Sequence, residues 1–181
     1  MIVPLFRRPA RTIDALYGAI VAQARAPAFY AQMGVPDTVS GRFDMVLLHV
    51  VLVLRRLRRG EAGERERAQA QQLFDAFCRD MDHNLREMGI SDQGLPRHMQ
   101  RVGEAFYGRA QVYEAALADG AGEGDLAAAL ARNVYPDTVA ESCAASLAQY
   151  VRIAVQMLED QSIPALAGGA VAFPEGRIRQ G

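Results

Sequence analysis

The stretch from residue 72 to residue 109 constrains the fold most, because it carries two helical patterns separated by a turn. Gly89 lies where glycine favours a left-handed helix cap, and Pro96 suits the first turn of a new helix. The apolar row before Gly89 is Phe74, Phe77, Cys78, Met81, Leu85 and Met88, and the row after Pro96 is Met99, Val102, Phe106, Ala110, Tyr113 and Leu117. Two such rows across a short connection predict an antiparallel helix pair.

The rest of the chain also has the pattern of helices. Apolar spacing predicts helices over about 12–25, 29–33, 125–133 and 138–160, with Thr12 as the N-cap of the first. Another helix is expected to open at Pro36-Asp37-Thr38-Val39, and Thr138 with Glu141 forms a capping-box pattern later in the chain. We therefore expect an all-α, single-domain helical bundle of about six to seven helices with an extended C-terminal tail.

Three segments are expected along the chain: an N-terminal arm over 1–11, a helical domain over 12–167 and a partly loose tail over 168–181. Val171 and Phe173 are the two apolar residues that could anchor the tail across the bundle, and the last residues from Gly176 should be loose.

The run from Met45 to Leu54 is apolar at every position except His49. A helix that is apolar all round is normally the central one of a bundle, so we expect this helix to be buried. Its end carries a basic cluster of Arg55, Arg56, Arg58 and Arg59. The cluster is either a solvated cap that complements the helix dipole or a contact for anionic headgroups or ribosomal RNA.

Composition excludes several classes of protein. The formal net charge is -1 and the pI is about 6.3, which does not indicate DNA binding. Cys78 and Cys143 lack close spacing, so reduced buried thiols are favoured over an interhelical disulfide. The N-terminus does not have the pattern of a secretory signal, and no segment has the about 18–20 apolar residues that span a bilayer. We expect a cytoplasmic protein, with contact at the inner membrane face as an alternative.

The hairpin also carries a group of potential metal ligands. Asp80, His83 and Glu87 share one helical face with Asp82 close by, but di-iron bundles need a Glu-x-x-His on each of two helices. We favour an exposed, salt-bridged helix face, with no metal, no cofactor and no catalytic residue. His98 could approach His83 across the turn, but two histidines do not make a metal site.

Two glycines fall inside the second helix of the pair. Gly103 and Gly108 each cost about 1 kcal/mol relative to alanine in a helix interior. Close packing against a neighbouring helix is the favoured explanation, and a groove for a client segment is the alternative.

Three segments of this hairpin resemble the ubiquinol-cytochrome c chaperone family, which assists cytochrome b during assembly of respiratory complex III. They are Phe74-Asp75-Ala76-Phe77, residues 79–89 (RDMDHNLREMG) and residues 103–109 (GEAFYGR). The resemblance implies a bacterial form that binds newly made cytochrome b, with a second assembly factor and a peripheral membrane or ribosome contact as further possible partners. Carried over residue by residue, it implies a partner surface at Asp80, Asp82, Arg86, Glu87, Asp92, Tyr107 and Arg109, with Leu95 and Met99 as apolar contacts beside it.

Three functions follow as hypotheses. The first is a non-enzymatic assembly chaperone, the second is a helical metal-dependent or quinone-handling enzyme, and the third is a membrane-surface adaptor that uses the basic cluster. Met81, Met88 and Met99 would suit a surface that adapts to a client, although each also suits a core.

Overall fold

The computed structural model of this chain describes residues 9–59, 63–135 and 141–175. Within these ranges every regular element is a helix, and six of the eight helices have ten or more residues. They are α1 (Pro9–Ala24), α2 (Pro27–Ala31), α3 (Val39–Arg58), α4 (Glu64–Glu87), α5 (Leu95–Ala116), α6 (Asp125–Val134), α7 (Glu141–Asp160) and α8 (Ile163–Ala167). The prediction of an all-α, single-domain bundle is confirmed.

Helix α3 lies at the centre of the bundle and contacts α1, α4, α5, α6 and α7. All residues from Asp44 to Arg55 are buried, as predicted for the apolar run. The helix begins where the sequence predicts, because the Thr38 hydroxyl accepts a hydrogen bond of 3.1 Å from the backbone N–H of Gly41. The apolar composition of α3 therefore explains its central position, and the Thr38 cap explains where it begins.

Helices α4 and α5 form the predicted antiparallel hairpin. Gly89 has a φ of 84°, the left-handed conformation expected of the cap, and Pro96 lies in the first turn of α5. Far from the turn, the rings of Phe74 and Phe77 pack against Phe106 with centroids 4.9 and 5.3 Å apart. The aromatic residues of the two stripes thus form the closed half of the hairpin.

The start of α1 differs from the prediction. Helix α1 already includes Pro9, the first residue that the structure describes, so Thr12 lies inside the helix and is not its N-cap, and the helix takes in residues 9–11 of the stretch expected as an arm. The Thr138 half of the predicted capping box and the residues from Gly176 onward lie outside the described residues.

The C-terminal tail lies against the bundle over residues 171–175. The side-chain amide of Gln161 donates to the carbonyl of Ala172 at 2.8 Å and accepts from its N–H at 2.7 Å. The Gln23 amide donates to the Pro174 carbonyl at 3.0 Å, and the ring of Phe173 packs edge-on against His49. The tail is therefore bonded to α7 and α1 and covers part of α3.

His49 is the one polar residue of the apolar run, and the interior satisfies both of its ring nitrogens. Nδ1–H donates to the Met45 carbonyl at 2.7 Å, so Nε2 accepts from the hydroxyl of Tyr150 at 2.8 Å. Complete burial lowers the pKa of His49 to about 4. His49 is thus a neutral core residue that joins α3 to α7.

Candidate functional site

The turn end of the α4–α5 hairpin carries an exposed row of charged residues. The Arg86 guanidinium donates to Asp82 one turn earlier on α4 at 2.8 Å and also to Asp92 in the connecting turn. The sequence placed these three residues on one surface, and the structure brings them together. We call Asp82, Arg86 and Asp92 the charged row.

Two other acidic residues of the predicted surface lie nearby on α4. Asp80 is half-buried and accepts a hydrogen bond of 2.7 Å from the hydroxyl of Tyr17, which joins α4 to α1. Burial, followed by this bond, raises the pKa of Tyr17 well above its usual range. Glu87 is exposed, and its carboxylate lies 3.9 Å from Nε2 of His83. Asp80 therefore has a partner within the chain, whereas Glu87 faces solvent.

Arg109 is bonded inside the protein. Its Nη2 lies 2.9 Å from Oδ1 of Asp44 on α3, and the side chains are 21% and 5% exposed. The guanidinium also lies over the ring of Phe43, 5.9 Å from its centroid. Burial raises the pKa of Asp44 to about 6, although the Arg109 charge opposes that shift. Arg109 thus joins α5 to the central helix, and the sequence analysis missed Asp44, the acid at the start of the buried run.

The apolar members of the predicted surface are distributed between core and solvent. Leu95 is buried and Met99 is half-buried. Tyr107 is 61% exposed, and its ring lies 5.7 Å from that of Phe74 between centroids. Tyr107 is therefore the one large exposed ring among the residues of this predicted surface.

The two glycines of α5 are not explained by packing. A Cβ atom placed on Gly103 or on Gly108 would have no described neighbour within 4 Å, apart from the adjacent residues and the backbone of the helix itself. The expectation of close packing against a neighbouring helix is therefore wrong. Both glycines leave open space on the surface of α5.

Most of the basic cluster at the end of α3 binds acceptors within the chain. Arg55 is buried, and its Nη2 donates to the Leu117 carbonyl beyond α5 at 3.0 Å. Arg56 donates to the Leu158 carbonyl of α7 at 2.7 Å.

The other two members of the cluster are exposed. Arg59 pairs with Glu159 of α7, and Arg58 shows no ion pair among the described residues. The cluster therefore acts mainly as a cap for α5 and α7, as helix C-termini prefer cations.

A groove of about 770 Å³ opens between the N-terminal half of α3, the C-terminal half of α4 and the N-terminal half of α5, and none of the three residues of the charged row lines it. Its apolar surface comprises Val39, Phe43, Val46, Met81, Leu85, Met88, Val102 and Ala105, and its charged or polar rim includes Arg25, Arg42, Asp80, Glu87, His98 and Arg101. Four apolar residues predicted as helix stripes, namely Met81, Leu85, Met88 and Val102, thus line an open groove.

The described residues include potential metal ligands and two cysteines. Among them, no group of three or more His, Cys, Asp or Glu is placed to hold a metal ion. Cys78 and Cys143 are free thiols that are partly buried rather than buried, and burial raises the pKa of Cys78. No helix of the described chain is long and apolar enough to cross a membrane.

Comparison with known proteins gives two matches. The family of ubiquinol-cytochrome c chaperones matches residues 31–173. The crystal structure of the Cbp3 homolog from Brucella abortus is 42% identical in sequence and superposes with a TM-score of 0.83, covering 97% of this chain and 98% of that one. A search of curated proteins found no match. The hairpin, all of the groove except Arg25 and most of the bundle lie inside the matched range, and this chain belongs to the ubiquinol-cytochrome c chaperone family.

Proposed function

We propose that this protein binds newly made cytochrome b and supports its assembly into ubiquinol-cytochrome c reductase, respiratory complex III. Family membership supports a chaperone role, and the proposal specifies the client. The protein would act where cytochrome b enters the membrane, on the cytoplasmic side.

The observation that carries the proposal is the open groove at the turn end of the hairpin. An unassembled membrane subunit exposes apolar surface that its neighbours will later cover, and a chaperone must shield that surface reversibly. The groove supplies apolar contacts and has its own polar rim, while Asp82, Arg86 and Asp92 supply further polar contacts at the same end of the hairpin. Polar contacts around an apolar centre are the usual arrangement of a protein interface.

Only some residues of the predicted surface are exposed enough to contact the client. We place the contact at the charged row, Glu87 and Tyr107, all of which have surface available to a partner. Met99 lies half-buried beside them. Leu95 and Arg109 support this surface from beneath, because one is buried and the other pairs with Asp44. Asp80 has a supporting role of the same kind through Tyr17.

Charge reversal tests the site with a matched control. In a strain lacking the gene, the wild-type protein should restore cytochrome b levels and quinol oxidation, and Asp82→Arg should restore neither while keeping its helical circular dichroism. Asp75→Arg is the control, because Asp75 is also an exposed acid of α4 but lies nearly two turns from Asp82, where it pairs with Gln71. It should behave like wild type.

Two results would refute the proposal. Normal cytochrome b and normal quinol oxidation in the deletion strain would remove complex III assembly as the function. Equal complementation by Asp82→Arg and Asp75→Arg would move the contact away from the charged row.

A further inference from the structure

The apolar stripe of α4 continues past the part of the core that covers it. Near the middle of the helix, Phe77 is fully buried among the rings of Phe43, Phe74 and Phe106. Beyond it the stripe continues with Met81, Leu85 and Met88, but these line the groove, and Met88 is 60% exposed. The chain thus presents a helical stripe that the described helices cover only in part.

The spacing of this stripe is that of a helix–helix contact. Met81, Leu85 and Met88 follow one another at steps of four and three residues, which places them in one row on α4. The row is about 10 Å long, since each residue adds about 1.5 Å, and therefore spans about two helical turns. Groove-binding helices present side chains at this same spacing to their partners.

The other walls of the groove are also helical. Phe43 and Val46 of α3 and Val102 of α5 line it opposite the stripe. Its volume of about 770 Å³ is far more than one side chain fills and lies in the range of occupied binding clefts, roughly 300–1,000 Å³. Three helices with apolar surface towards one open space resemble a bundle from which one helix is missing.

The charges around the groove do not favour a charged occupant. Arg42 pairs with Asp37 at 2.7 Å and Asp80 accepts from Tyr17 at 2.7 Å, so both have partners just outside the groove. The groove itself is lined by Arg25, Arg42 and Arg101 and by the acids Asp80 and Glu87, and with Arg42 paired to Asp37 the two remaining arginines face two acids. An uncharged apolar face is the complement of such a surface.

We propose that the groove binds one apolar helical segment of the client, which lies along the stripe of Met81, Leu85 and Met88. The proposal rests on the proposed function for the identity of the client. The segment occupies the place of the missing helix and leaves when its own neighbours become available. Methionine suits this exchange because its flexible side chain adapts to different apolar shapes.

Direct binding to purified protein tests the proposal. The probe is a fluorescent synthetic peptide of roughly four helical turns with uncharged apolar residues along one face. A second peptide has the same composition in an order that destroys the apolar face. The wild-type protein should bind the first peptide about tenfold or more tightly than the second.

Two variants locate the binding site. Met88→Glu should weaken binding of the first peptide by about tenfold, because it places a charge on the stripe. Ile153→Glu is the matched control, since Ile153 is an exposed apolar residue of α7 that does not line the groove. It should bind the peptide like wild type, and both variants should keep the circular dichroism of the native fold.

The outcomes separate this proposal from the proposed function. If both peptides bind equally, or if Met88→Glu binds like wild type, the groove does not take an apolar helix, whatever the deletion strain shows. Binding of anionic lipid vesicles that Met88→Glu abolishes, with peptide binding unchanged, would also overturn it. Selective peptide binding together with normal complex III in the deletion strain would refute only the identity of the client.

Discussion

Breaking the ion pair between Arg109 and Asp44 should lower the stability of the fold by an amount that depends on pH. In Arg109→Met, the Asp44 carboxyl stays buried at the α3–α5 contact but loses its cationic partner. A buried, unpaired carboxylate is unfavourable, so the folded protein should protonate Asp44 instead. The change therefore tests whether Arg109 acts inside the protein or at its surface.

The size of the effect follows from the pKa of Asp44, which is about 6 in the folded protein. At pH 7, about one unit above this pKa, the carboxyl is mostly ionised, and protonating it costs about 1.4 kcal/mol. At pH 5 it is already mostly protonated, and losing Arg109 adds almost no electrostatic cost. Arg109→Met should therefore lower the free energy of unfolding by about 1.4 kcal/mol more at pH 7 than at pH 5.

Asp44 in the wild-type protein has the opposite pH dependence to that of an ordinary salt-bridged acid. Its folded pKa of about 6 lies above its unfolded value of 3.8, so the folded state binds more protons between those values. Its contribution to stability is thus fully present below pH 3.8 and is lost as pH rises through about 6. Asp44→Asn should remove this dependence.

Urea denaturation followed by circular dichroism at pH 5 and pH 7 measures these differences. Asp44→Asn combined with Arg109→Met should show none of the extra loss at pH 7, because the titrating group is gone. The control is Arg42→Met, which breaks an exposed pair with Asp37 and should cause no measurable pH-dependent loss. An equal loss for Arg109→Met at both pH values, or a difference that persists with Asp44→Asn, would refute the buried pair.

Three further predictions concern single residues. The folded pKa of His49, about 4, lies below its unfolded value of 6.5, so the stability of the wild-type protein falls as pH drops through that window, by about 2 kcal/mol at pH 5. His49→Gln should remove this loss, which urea denaturation at pH 5 and pH 7 measures. Gly103→Ala should stabilise the fold by about 1 kcal/mol in thermal unfolding, since its Cβ meets open space; a loss would indicate a hidden contact. Arg56→Ala should speed hydrogen exchange in the last turn of α7, because the Leu158 and Gln161 carbonyls lose their donor; unchanged exchange would show that solvent replaces the guanidinium at no cost.

Local signals predicted the hairpin, and its structure agrees with them. Gly89 adopts the left-handed conformation and Pro96 opens α5, because both effects depend on a residue and its immediate neighbours. The same holds for Thr38, whose cap is formed three residues away. The prediction of Thr12 as an N-cap failed because the helix already includes Pro9, three residues earlier.

Contacts between distant residues could not be read from the sequence. The sequence pattern predicts an exposed Arg109, but its side chain pairs with Asp44, 65 positions earlier. This pairing depends on how α5 packs on α3. The opposite error occurred at Gly103 and Gly108. Their positions inside a helix suggested close packing against a neighbouring helix, but no neighbouring helix among the described residues approaches either glycine. Periodicity identified the stripe of α4, but it could not show that its last two turns are covered only in part.

The bonds that hold the tail impose an order on the completion of the core. A ribosome makes α3 early, whereas Tyr150, whose hydroxyl bonds His49, and Phe173, whose ring packs against it, emerge only after most of the helices. Until then the imidazole at the centre of α3 lacks its hydroxyl partner and two of the three rings that pack around it. The core around His49 is therefore complete only after the last described helices and the tail have been synthesised, whereas all residues of the hairpin and the groove have been made earlier.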